Sequence, residues 1–502
     1  MLAQDEFKRL AGNLFIDGNF HPSNSATRKS IVNPATEDRI GEVADASSAE
    51  VRAAIDAANV AFKSWRALNM LTRAELLHDA AAELKRLRPV VAELLTREMG
   101  KPYKESFDEV SWSISAIDYY AEVARHENGK VVGPSIDGQF HFTLKEPLGV
   151  VAAIMPFNYP LVLLAWEAAA ALAAGNAVIV KPSEITSMTT LKFMEAFKGL
   201  PSGIFQCVTG GGSVGAHLVA SPGVHGVAFT GGIETGKRVA AVCAESFKRC
   251  LIEASGNDPF IVMPSAPFES AVRGTAFASY LNCGQVCTSA ERIYVHTDIY
   301  DSFADALVAE ARKLRLGNGL EKVDLGPMAS ETERARYERI LARAREQGAK
   351  VRTGGGRPAD FNRGWFVEPT VLTDVTPDME ILNDEIFGPV APLCRVTSLD
   401  EAIELANRSR YGLGANIYTG SLSEAMRAVN EIESGMVWVN APLLDNAAGP
   451  FGGRKMSGTG RQLGSEGLDQ FRHTKFVMID ADASAQDFWW FPYADKEAYK
   501  PS

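Results

Sequence analysis

The sequence predicts an α/β fold in which parallel sheets are covered by helices on both faces. The chain has 502 residues, which is more than one hydrophobic core usually holds, so two or three domains are expected. From residue 148 onward, short apolar runs alternate with helical segments, a pattern typical of a parallel sheet. A second alternating region begins near Asp258, and a domain boundary is therefore expected close to residue 255.

The first alternating region contains the clearest strand and helix signals. The apolar runs that indicate buried strands are 150–155, 177–180, 204–208, 226–229 and 251–252. The helical segments between them are 161–174, 186–197, 214–220 and 235–244. Upstream, apolar residues at helical spacing predict helices at 50–65 and 72–88, with Thr72 as a cap of the second.

The second alternating region is followed by an aromatic tail. Its predicted helices are 270–281, 300–314 and 332–347, and its predicted strands are 292–295, 390–396 and 436–439. The aromatic residues of the tail are Phe488, Trp489, Trp490, Phe491 and Tyr493. They would form a sticky patch on a free tail, so we expect burial against a neighbouring subunit, with burial within the same chain as the alternative.

Two further stretches, 139–145 and 148–180, have unusual patterns of apolar residues. Residues 139–145 alternate Phe140, Phe142 and Leu144 with polar neighbours, which predicts an amphipathic strand. Residues 148–180 are nearly free of charge, so a membrane helix is the alternative interpretation there. Prolines and Gly175 interrupt this stretch, which favours strand, helix and buried strand, and no membrane partner is expected.

Composition and charge argue against several classes of function. Hydrophobic residues make up 46% and charged residues 23% of the chain, as in ordinary globular proteins. The net charge of −11 disfavours nucleic-acid binding, because such surfaces concentrate Lys and Arg. The six cysteines are too sparse for a disulfide scaffold and form no CxxC pair. We therefore expect no metal site and a reducing, cytoplasmic location.

Three residues are candidates for catalysis. Cys287 is one, although a lone cysteine is more often a small core residue than a nucleophile. Glu253 directly follows a buried apolar run, at the strand end where ligand sites open in such sheets. There a partly desolvated carboxyl would have a raised pKa suited to a general base, and a salt-bridged strand end is the alternative. Asn158 lies between a strand and a helix, where its amide would serve an oxyanion or cap the helix.

Three short motifs suit a dinucleotide. Lys181 and Glu184 follow a predicted strand and are well placed to hold ribose hydroxyls, with a polar turn as the alternative. Residues 210–215, which end in Gly215, match GxGxxG after a strand, a motif that is weak by itself. The third motif precedes a helix and offers backbone N–H groups to a phosphate. Its residues are Thr230, Gly231 and Gly232.

These motifs in this order closely resemble the aldehyde dehydrogenase superfamily, in its NAD(P)-dependent, non-acylating form. The most specific pieces are GQVC at 284–287, EIFGPV at 385–390 and PFGGRKMSGTGR at 450–461, with FNYP, KPSE and FTGG in register. The similarity runs from about residue 14 to about residue 475.

The resemblance implies a reaction, the NAD-dependent oxidation of an aldehyde to a carboxylic acid. Cys287 would be the nucleophile that forms a thiohemiacetal and then a thioester, and Glu253 would activate the hydrolytic water. Asn158 and the backbone N–H of Cys287 would form the oxyanion hole. Glu385 and Phe387 would position the nicotinamide ribose and ring.

The resemblance also bears on cofactor choice and on domain organisation. Lys181 and Glu184 would hold the adenosine ribose, and a carboxylate there repels a 2′-phosphate, so NAD is favoured over NADP. A Rossmann-like NAD-binding domain is expected at 1–125 and 147–254 with roughly 455–475, and an α/β catalytic domain at 255–454. A small β oligomerisation domain would comprise 126–146 and 476–502. A homodimer or homotetramer is expected.

In the register of the family, six residues line the aldehyde tunnel, although each could be ordinary packing. They are Trp112, Tyr159, Trp166, Leu281, Asp445 and Phe451. No arginine is among them, which disfavours an aldehyde with a distal carboxylate. An aromatic or heteroaromatic, hydroxylated or cationic aldehyde is favoured, because a cation would use both the rings and Asp445.

Four places depart from the pattern of the family, and three different functions compete. The departures are Ala254-Ser255, Gly232, Gln462 and Glu167, where the family often has Leu-Gly, serine, glutamate and lysine. They bear on proton handling and cofactor affinity. A CoA-acylating semialdehyde dehydrogenase is the first competitor, but it needs no base such as Glu253. A catalytically silent structural protein is the second, and a thioesterase without redox chemistry is the third. Cys283 would pair with Cys287 under oxidation or, as we expect, simply pack.

Overall fold

The structure is a computed structural model that describes residues 2–487 and 489–493, so the Phe488 of the predicted aromatic patch lies outside it. The predicted α/β class is confirmed. Two sheets that are mainly parallel are each accompanied by helices, and a small antiparallel sheet lies apart from them.

The first sheet has eight strands and is parallel at its centre. In spatial order they are β19 (Gly458–Thr459), β11 (Arg249–Glu253), β10 (Gly226–Thr230), β7 (Val150–Ile154), β8 (Ala177–Lys181), β9 (Phe205–Cys207), β1 (Asn13–Ile16) and β2 (Asn19–Pro22). The chain winds outward from β7 in one direction and from β10 in the other. A crevice is expected where the order reverses, at the carboxyl ends of β7 and β10.

Helices from this part of the chain surround the first sheet. They are α1 (Leu2–Leu10), α2 (Ser48–Ala67), α3 (Met70–Met99), α4 (Tyr103–His126), α5 (Pro160–Ala173), α6 (Ser187–Met194), α7 (Gly212–Ala220), α8 (Ile233–Ala244) and α14 (Gly464–Asp469). A hairpin of β3 (Arg28–Val32) and β4 (Arg39–Ala44) lies beside them.

The structure corrects two details of the helix predictions. Thr72 is not the cap of α3, because Asn69 precedes the helix and its side-chain oxygen accepts the Thr72 N–H at 2.9 Å. The helix also continues through Pro89 to Met99, and its last turns are buried. Burial of that apolar face outweighs the hydrogen bond that a proline removes.

Helix α5 explains the long stretch that is nearly free of charge. All 14 of its residues are buried inside the protein, and Glu167 is the one charged residue among them, so burial inside the protein explains this almost wholly apolar helix without a membrane. Within the described residues, no helix is both long and apolar enough to span a bilayer.

The second sheet has seven strands, of which β14 alone is antiparallel to its neighbour. In spatial order they are β14 (Lys350–Thr353), β15 (Thr370–Thr373), β16 (Val390–Val396), β13 (Ala290–His296), β12 (Asp258–Val262), β17 (Asn416–Tyr418) and β18 (Trp438–Val439). The helices of this region are α9 (Phe268–Tyr280), α10 (Tyr300–Ala311), α11 (Glu331–Glu346), α12 (Leu399–Asn407) and α13 (Leu422–Glu431).

The third sheet is antiparallel, with the order β20 (Arg472–Asp480), β6 (Gln139–Pro147) and β5 (Val131–Val132). The predicted strand at 139–145 is therefore confirmed. Several of its apolar side chains face solvent: Phe140, Leu144, Phe476, Met478 and Ile479. In the tail, Trp489, Trp490, Phe491 and Tyr493 are also exposed in the single chain. Their burial against a second subunit stays a prediction, as do the domain limits.

Candidate active site

Side chains from four segments converge on the crevice at the carboxyl ends of the first sheet. Asn158 follows β7, Thr230 ends β10 and Glu253 ends β11. Cys287 comes from the loop before β13 in the second sheet. Two cavities open here, and both Cys287 and Asn158 line each of them.

The first cavity has a volume of about 430 Å³. All six residues assigned to the aldehyde tunnel line it: Trp112, Tyr159, Trp166, Leu281, Asp445 and Phe451. The Trp166 and Phe451 rings pack with their centroids 5.0 Å apart. The Tyr159 hydroxyl is buried and has no hydrogen-bond partner in the described part of the chain. This cavity is thus an aromatic chamber that ends at the Cys287 thiol.

The second cavity has a volume of about 340 Å³, and its lining includes the ionisable residues Glu253, Glu333, Arg336 and Glu385. The predicted residues that line it are Thr230, Gly231, Gly232, Glu253, Glu385 and Phe387. Gly232 directly precedes α8, whose first N–H groups have no partner within the helix. This end of α8 is therefore suited to a phosphate.

The loop that carries Cys287 is bonded to the segment that carries Asn158. The Asn158 amide donates to the Gln285 carbonyl at 3.1 Å, and the Asn282 amide donates to the Asn158 carbonyl at 3.1 Å. Asn282 and Cys283 adopt left-handed backbone conformations, with φ values of 51° and 57°. These exchanges fix the oxyanion-hole candidate relative to the nucleophile candidate.

A backbone contact fixes the loop against the strand that carries Glu253. A Cβ atom at Gly256 would lie 1.8 Å from the Cys287 carbonyl oxygen. A glycine is therefore required there, because any side chain would displace the loop.

A buried ion pair lies behind Asn158, and no pattern in the sequence indicated it. Lys101 donates to Glu109 at 2.7 Å and to the Asn158 carbonyl at 2.5 Å, and both charged side chains are fully buried. The other Glu109 oxygen accepts the Leu161 N–H at 2.8 Å, at the start of α5. The Lys101 ammonium also lies 3.8 Å from the centre of the Tyr159 ring.

The Cys287 thiol is half-buried, and its pKa is raised well above the usual range. Desolvation is the main cause, and nearby carboxyl groups add to it, with Glu253 first among them. Burial also raises the pKa of Glu385, to about 7. Carboxyl groups with raised pKa values are partly neutral near pH 7, which weakens their repulsion of a thiolate.

Glu253 is buried at 2% exposure, and both its oxygens lack a hydrogen-bond partner among the described residues. Its pKa is raised well above the usual range, first by desolvation and then by the neighbouring Glu167 carboxyl. The Cys287 thiol and the Thr230 hydroxyl oppose this shift. The alternative of a salt-bridged strand end does not describe this carboxyl, since no ion pair to it occurs in the described chain.

The loop that carries Glu385 and Phe387 is held from two sides. The Glu291 carboxylate accepts the Phe387 N–H at 2.7 Å, and the Arg336 guanidinium donates to the Glu385 carbonyl at 2.9 Å. The Glu385 carboxylate accepts the Gly256 N–H at 3.2 Å. Glu291 and Arg336 lie far from this loop in sequence, so no local pattern pointed to them.

The adenosine-end candidates lie at the carboxyl end of β8. Lys181 is buried and donates to the carbonyls of Pro182 and Gly210 at 2.7 and 3.0 Å. Burial lowers its pKa to about 8. A Cβ atom at Gly215 would lie 3.3 Å from the Lys181 side chain. Glu184 forms an ion pair with Lys29 of β3, which the sequence did not predict.

The remaining residues of interest have clear positions. Cys283 is buried, and its sulfur contacts that of Met328 at 3.8 Å, which supports the packing role that the sequence predicted. All six cysteines are free thiols. Glu167 and Gln462 contact each other, with the Gln462 amide donating to the Glu167 carboxyl at 2.6 Å. Gly232 has no atom within 4 Å of a Cβ position, so a serine would fit there.

The fold and this site define an α/β protein in which a half-buried cysteine lines two cavities at the carboxyl ends of a parallel sheet. The sequence model of the aldehyde dehydrogenase family matches residues 20–477. The chain belongs to the aldehyde dehydrogenase family, as the resemblance implied, and it is an oxidoreductase of that family.

Three similar proteins illustrate the relationship. The 3-sulfolactaldehyde dehydrogenase of Pseudomonas putida is 38% identical, over 93% of this chain and 96% of its own. Betaine aldehyde dehydrogenase 1 of Oryza sativa subsp. japonica is 36% identical, over 95% and 97%. The crystal structure of betaine aldehyde dehydrogenase from Staphylococcus aureus in complex with NAD+ superposes with a TM-score of 0.93. It is 34% identical and covers 97% of this chain and 98% of that one.

Proposed function

We propose that this protein catalyses the NAD-dependent oxidation of an aldehyde to a carboxylic acid through a thioester on Cys287. One observation carries the proposal: Cys287 and Asn158 line both the aromatic chamber and the second cavity, and Glu253 lines the second cavity. An aldehyde in the first cavity and a cofactor in the second would thus meet at a single sulfur atom.

The cofactor is NAD, and the residues present suit it. Gly232 and the start of α8 would hold the pyrophosphate, because helix N-termini attract phosphate groups. Lys181 and Glu184 would hold the adenosine ribose, and Glu385 and Phe387 would hold the nicotinamide ribose and ring. When bound, NAD supplies the two-electron acceptor for the aldehyde hydrogen.

The chain supplies the remaining chemistry. The Cys287 thiol first gives its proton to solvent, and the thiolate attacks the aldehyde carbon. The electrons of the C=O double bond move to the oxygen, and this negative oxygen accepts hydrogen bonds from the Asn158 amide and the Cys287 backbone N–H. Asn158 has a second N–H beyond the one given to Gln285, so it is able to serve both acceptors. After oxidation, Glu253 takes a proton from water, the water oxygen attacks the thioester carbon, and the acid leaves Cys287.

The substrate we infer is an aromatic or heteroaromatic, hydroxylated or cationic aldehyde. The chamber rings favour an aromatic or cationic group, and the unpartnered Tyr159 hydroxyl favours a substrate hydroxyl. Among the described residues that line the chamber, none is basic and Asp445 is acidic. A sulfonate, as in the aldehyde that names the Pseudomonas relative, would lack a counter-ion there.

An NADH-forming screen across chemically diverse aldehydes tests the proposal, with Cys287→Ala as the control. We expect turnover without added CoA and its loss in the variant, because a water-activating base makes a thiol acceptor unnecessary. Strict dependence on CoA would favour the acylating alternative. The absence of NADH formation across the panel would favour a structural protein.

We also infer a homodimer or homotetramer in the cytoplasm. The apolar side chains exposed on β6 and β20 support self-association, and six free thiols suit a reducing compartment. Light scattering of the purified chain at micromolar concentration tests the assembly. A monomer at that concentration would contradict it.

A further inference from the structure

Glu167 is a buried acid in the middle of α5, with 1% of its surface exposed. One of its oxygens, Oε1, accepts hydrogen bonds from the Gln462 amide at 2.6 Å and the Thr230 hydroxyl at 3.1 Å. The other, Oε2, has no partner in the described part of the chain. A buried carboxyl without a cation is costly when ionised, and such groups occur most often at functional sites.

The Thr230 hydroxyl interacts with both Glu167 and Glu253, and the interaction lowers the pKa of each carboxyl. Thr230 and Glu253 are paired in the parallel register of β10 and β11. The Gln462 amide donates to the Thr230 oxygen at 3.2 Å, which leaves the single hydroxyl proton of Thr230 to serve one carboxyl at a time. A hydroxyl between two carboxyl groups is able to pass a proton from one to the other.

We propose that Glu167 and Glu253 share one proton through the Thr230 hydroxyl, which makes Glu167 a positioning residue that governs when Glu253 is an anion. This inference rests on the proposed role of Glu253 as the base. It gives a joint purpose to Glu167 and Gln462, two of the positions that depart from the usual pattern of the family.

The hydrogen bonds indicate where the shared proton rests. Gln462 and Thr230 both donate hydrogen bonds to Glu167, whereas the two Glu253 oxygens accept none at hydrogen-bond distance within the described structure. With one proton in the pair, the charge therefore favours Glu167 and the proton favours Glu253. Glu253 becomes a base when its O–H bond breaks toward the Thr230 oxygen while the Thr230 proton forms an O–H bond on Glu167. No further reactant is needed.

The surroundings raise the pKa of both carboxyls. Burial raises the pKa of Glu167 to about 8, and the pKa of Glu253 is raised by burial and by Glu167. Tyr120 of α4 and Cys250 of β11 also interact with Glu167, and Cys287 and Glu385 face Glu253. These four groups are neutral or acidic, so none of them supplies a cation that would pull both carboxyls into the ionised form.

The pH dependence of thioester hydrolysis in Glu167→Gln tests the inference. Removing the like charge lowers the pKa of Glu253, so we expect the acidic limb of the hydrolysis rate to move by about one unit toward lower pH. Infrared difference spectra over the same pH range should lose one titrating carboxyl band. Acyl-enzyme formation on Cys287 should keep its amplitude.

Glu98→Gln is the matched control, because Glu98 is equally buried, has a pKa of about 7 and only accepts hydrogen bonds at the start of α6. It should leave the pH profile unchanged. If Glu167→Gln does not fold, Gln462→Leu replaces it, and a smaller shift in the same direction is expected. A wild-type profile in a folded Glu167→Gln or Gln462→Leu protein overturns this inference alone, whereas full activity of Cys287→Ala overturns the proposed function.

Discussion

The two sides of Cys287 are supported by buried acids in opposite ways. Behind Asn158, the Glu109 carboxylate is paired with the Lys101 ammonium at 2.7 Å. Behind Glu253, the Glu167 carboxyl has only an amide and a hydroxyl as partners among the described residues. The difference teaches that a permanent ion pair suits a group that must stay still, whereas an acid without a cation suits a group that must gain and lose a proton.

The largest expected effect follows from removing the cation of the ion pair behind Asn158. Lys101→Met leaves Glu109 charged and buried without its partner, so we expect a loss of about 3–5 kcal/mol in the free energy of unfolding. Thermal unfolding followed by calorimetry measures it. Lys104→Met is the control, since Lys104 is 80% exposed and pairs with Asp108 at the surface. If both variants unfold at the same temperature, the ion pair is not what holds the Asn158 segment.

The second prediction concerns Asn158, whose contribution to catalysis should not depend on pH. Asn158→Ala removes one oxyanion donor, so kcat should fall by roughly 100- to 1,000-fold. Because an amide does not titrate, the ratio of wild-type to variant kcat should be constant from pH 6 to pH 9 (roughly the range in which the nearby acids titrate). Steady-state kinetics across that range measure it. A ratio that changes with pH would mean that the ion pair behind Asn158 also gains or loses a proton in this range.

Some residues of the site were predicted from the sequence and others were not. The missed residues are those that contact a residue far away along the chain. Glu253 was identified because it directly follows a buried apolar run, and Asn158 and Thr230 because each lies just before a predicted helix, and these are local signals. Lys101 and Arg336 were missed because each acts on a residue far away in sequence, and no periodic pattern records such a pairing. The sequence identified Glu167 and Gln462 as departures from the pattern of the family, but it did not predict the hydrogen bond between them.

The fold shows the same division. The strands at 150–155 and 177–180 were predicted because they are fully buried apolar runs, and β7 and β8 confirm them. Strands β15 and β17 were not predicted, because each contains only two apolar residues in a row, with polar residues on both sides. The run at 436–439 shortens to the two residues of β18.

A smaller effect concerns Asp445. Like Glu167, this acid has no ion-pair partner in the described part of the chain. It lies in an exposed loop at the mouth of the aromatic chamber, where the surrounding atoms raise its pKa to about 7, and water at the mouth screens part of this shift. Because the pKa is raised, the carboxylate forms only as the pH rises through this value. The kcat/KM for a cationic aldehyde should therefore rise between pH 6 and pH 8 relative to a neutral aldehyde (a window of about one unit on either side of this pKa).

Asp445→Asn should abolish that relative rise and lower kcat/KM for the cation at pH 8 by about five-fold. The neutral aldehyde serves as the internal control, because its binding involves no charge at this position. An unchanged ratio between the two aldehydes would remove the cationic class from the proposed substrates.

The smallest effect concerns Lys29, which pairs with Glu184 at the adenosine end. An ammonium beside the ribose would attract a 2′-phosphate and offset the repulsion from Glu184. Lys29→Met should therefore lower kcat/KM for NADP by about two- to five-fold and leave that for NAD nearly unchanged, as expected of an exposed ion pair. Lys350→Met, which breaks an exposed ion pair with Asp374, is the control. Equal losses with both cofactors would mean that Lys29 does not discriminate between them.

Two consecutive residues of α5 face different parts of the site, with Trp166 in the aromatic chamber and Glu167 against Thr230. One helix therefore carries both a residue that selects the aldehyde and the Glu167 carboxyl that acts on Glu253. Evolution or design that widens the chamber by tilting α5 would alter the timing of proton release at the same time. New substrate ranges are more easily reached by exchanging side chains at the chamber mouth, such as Asp445, than by moving this helix.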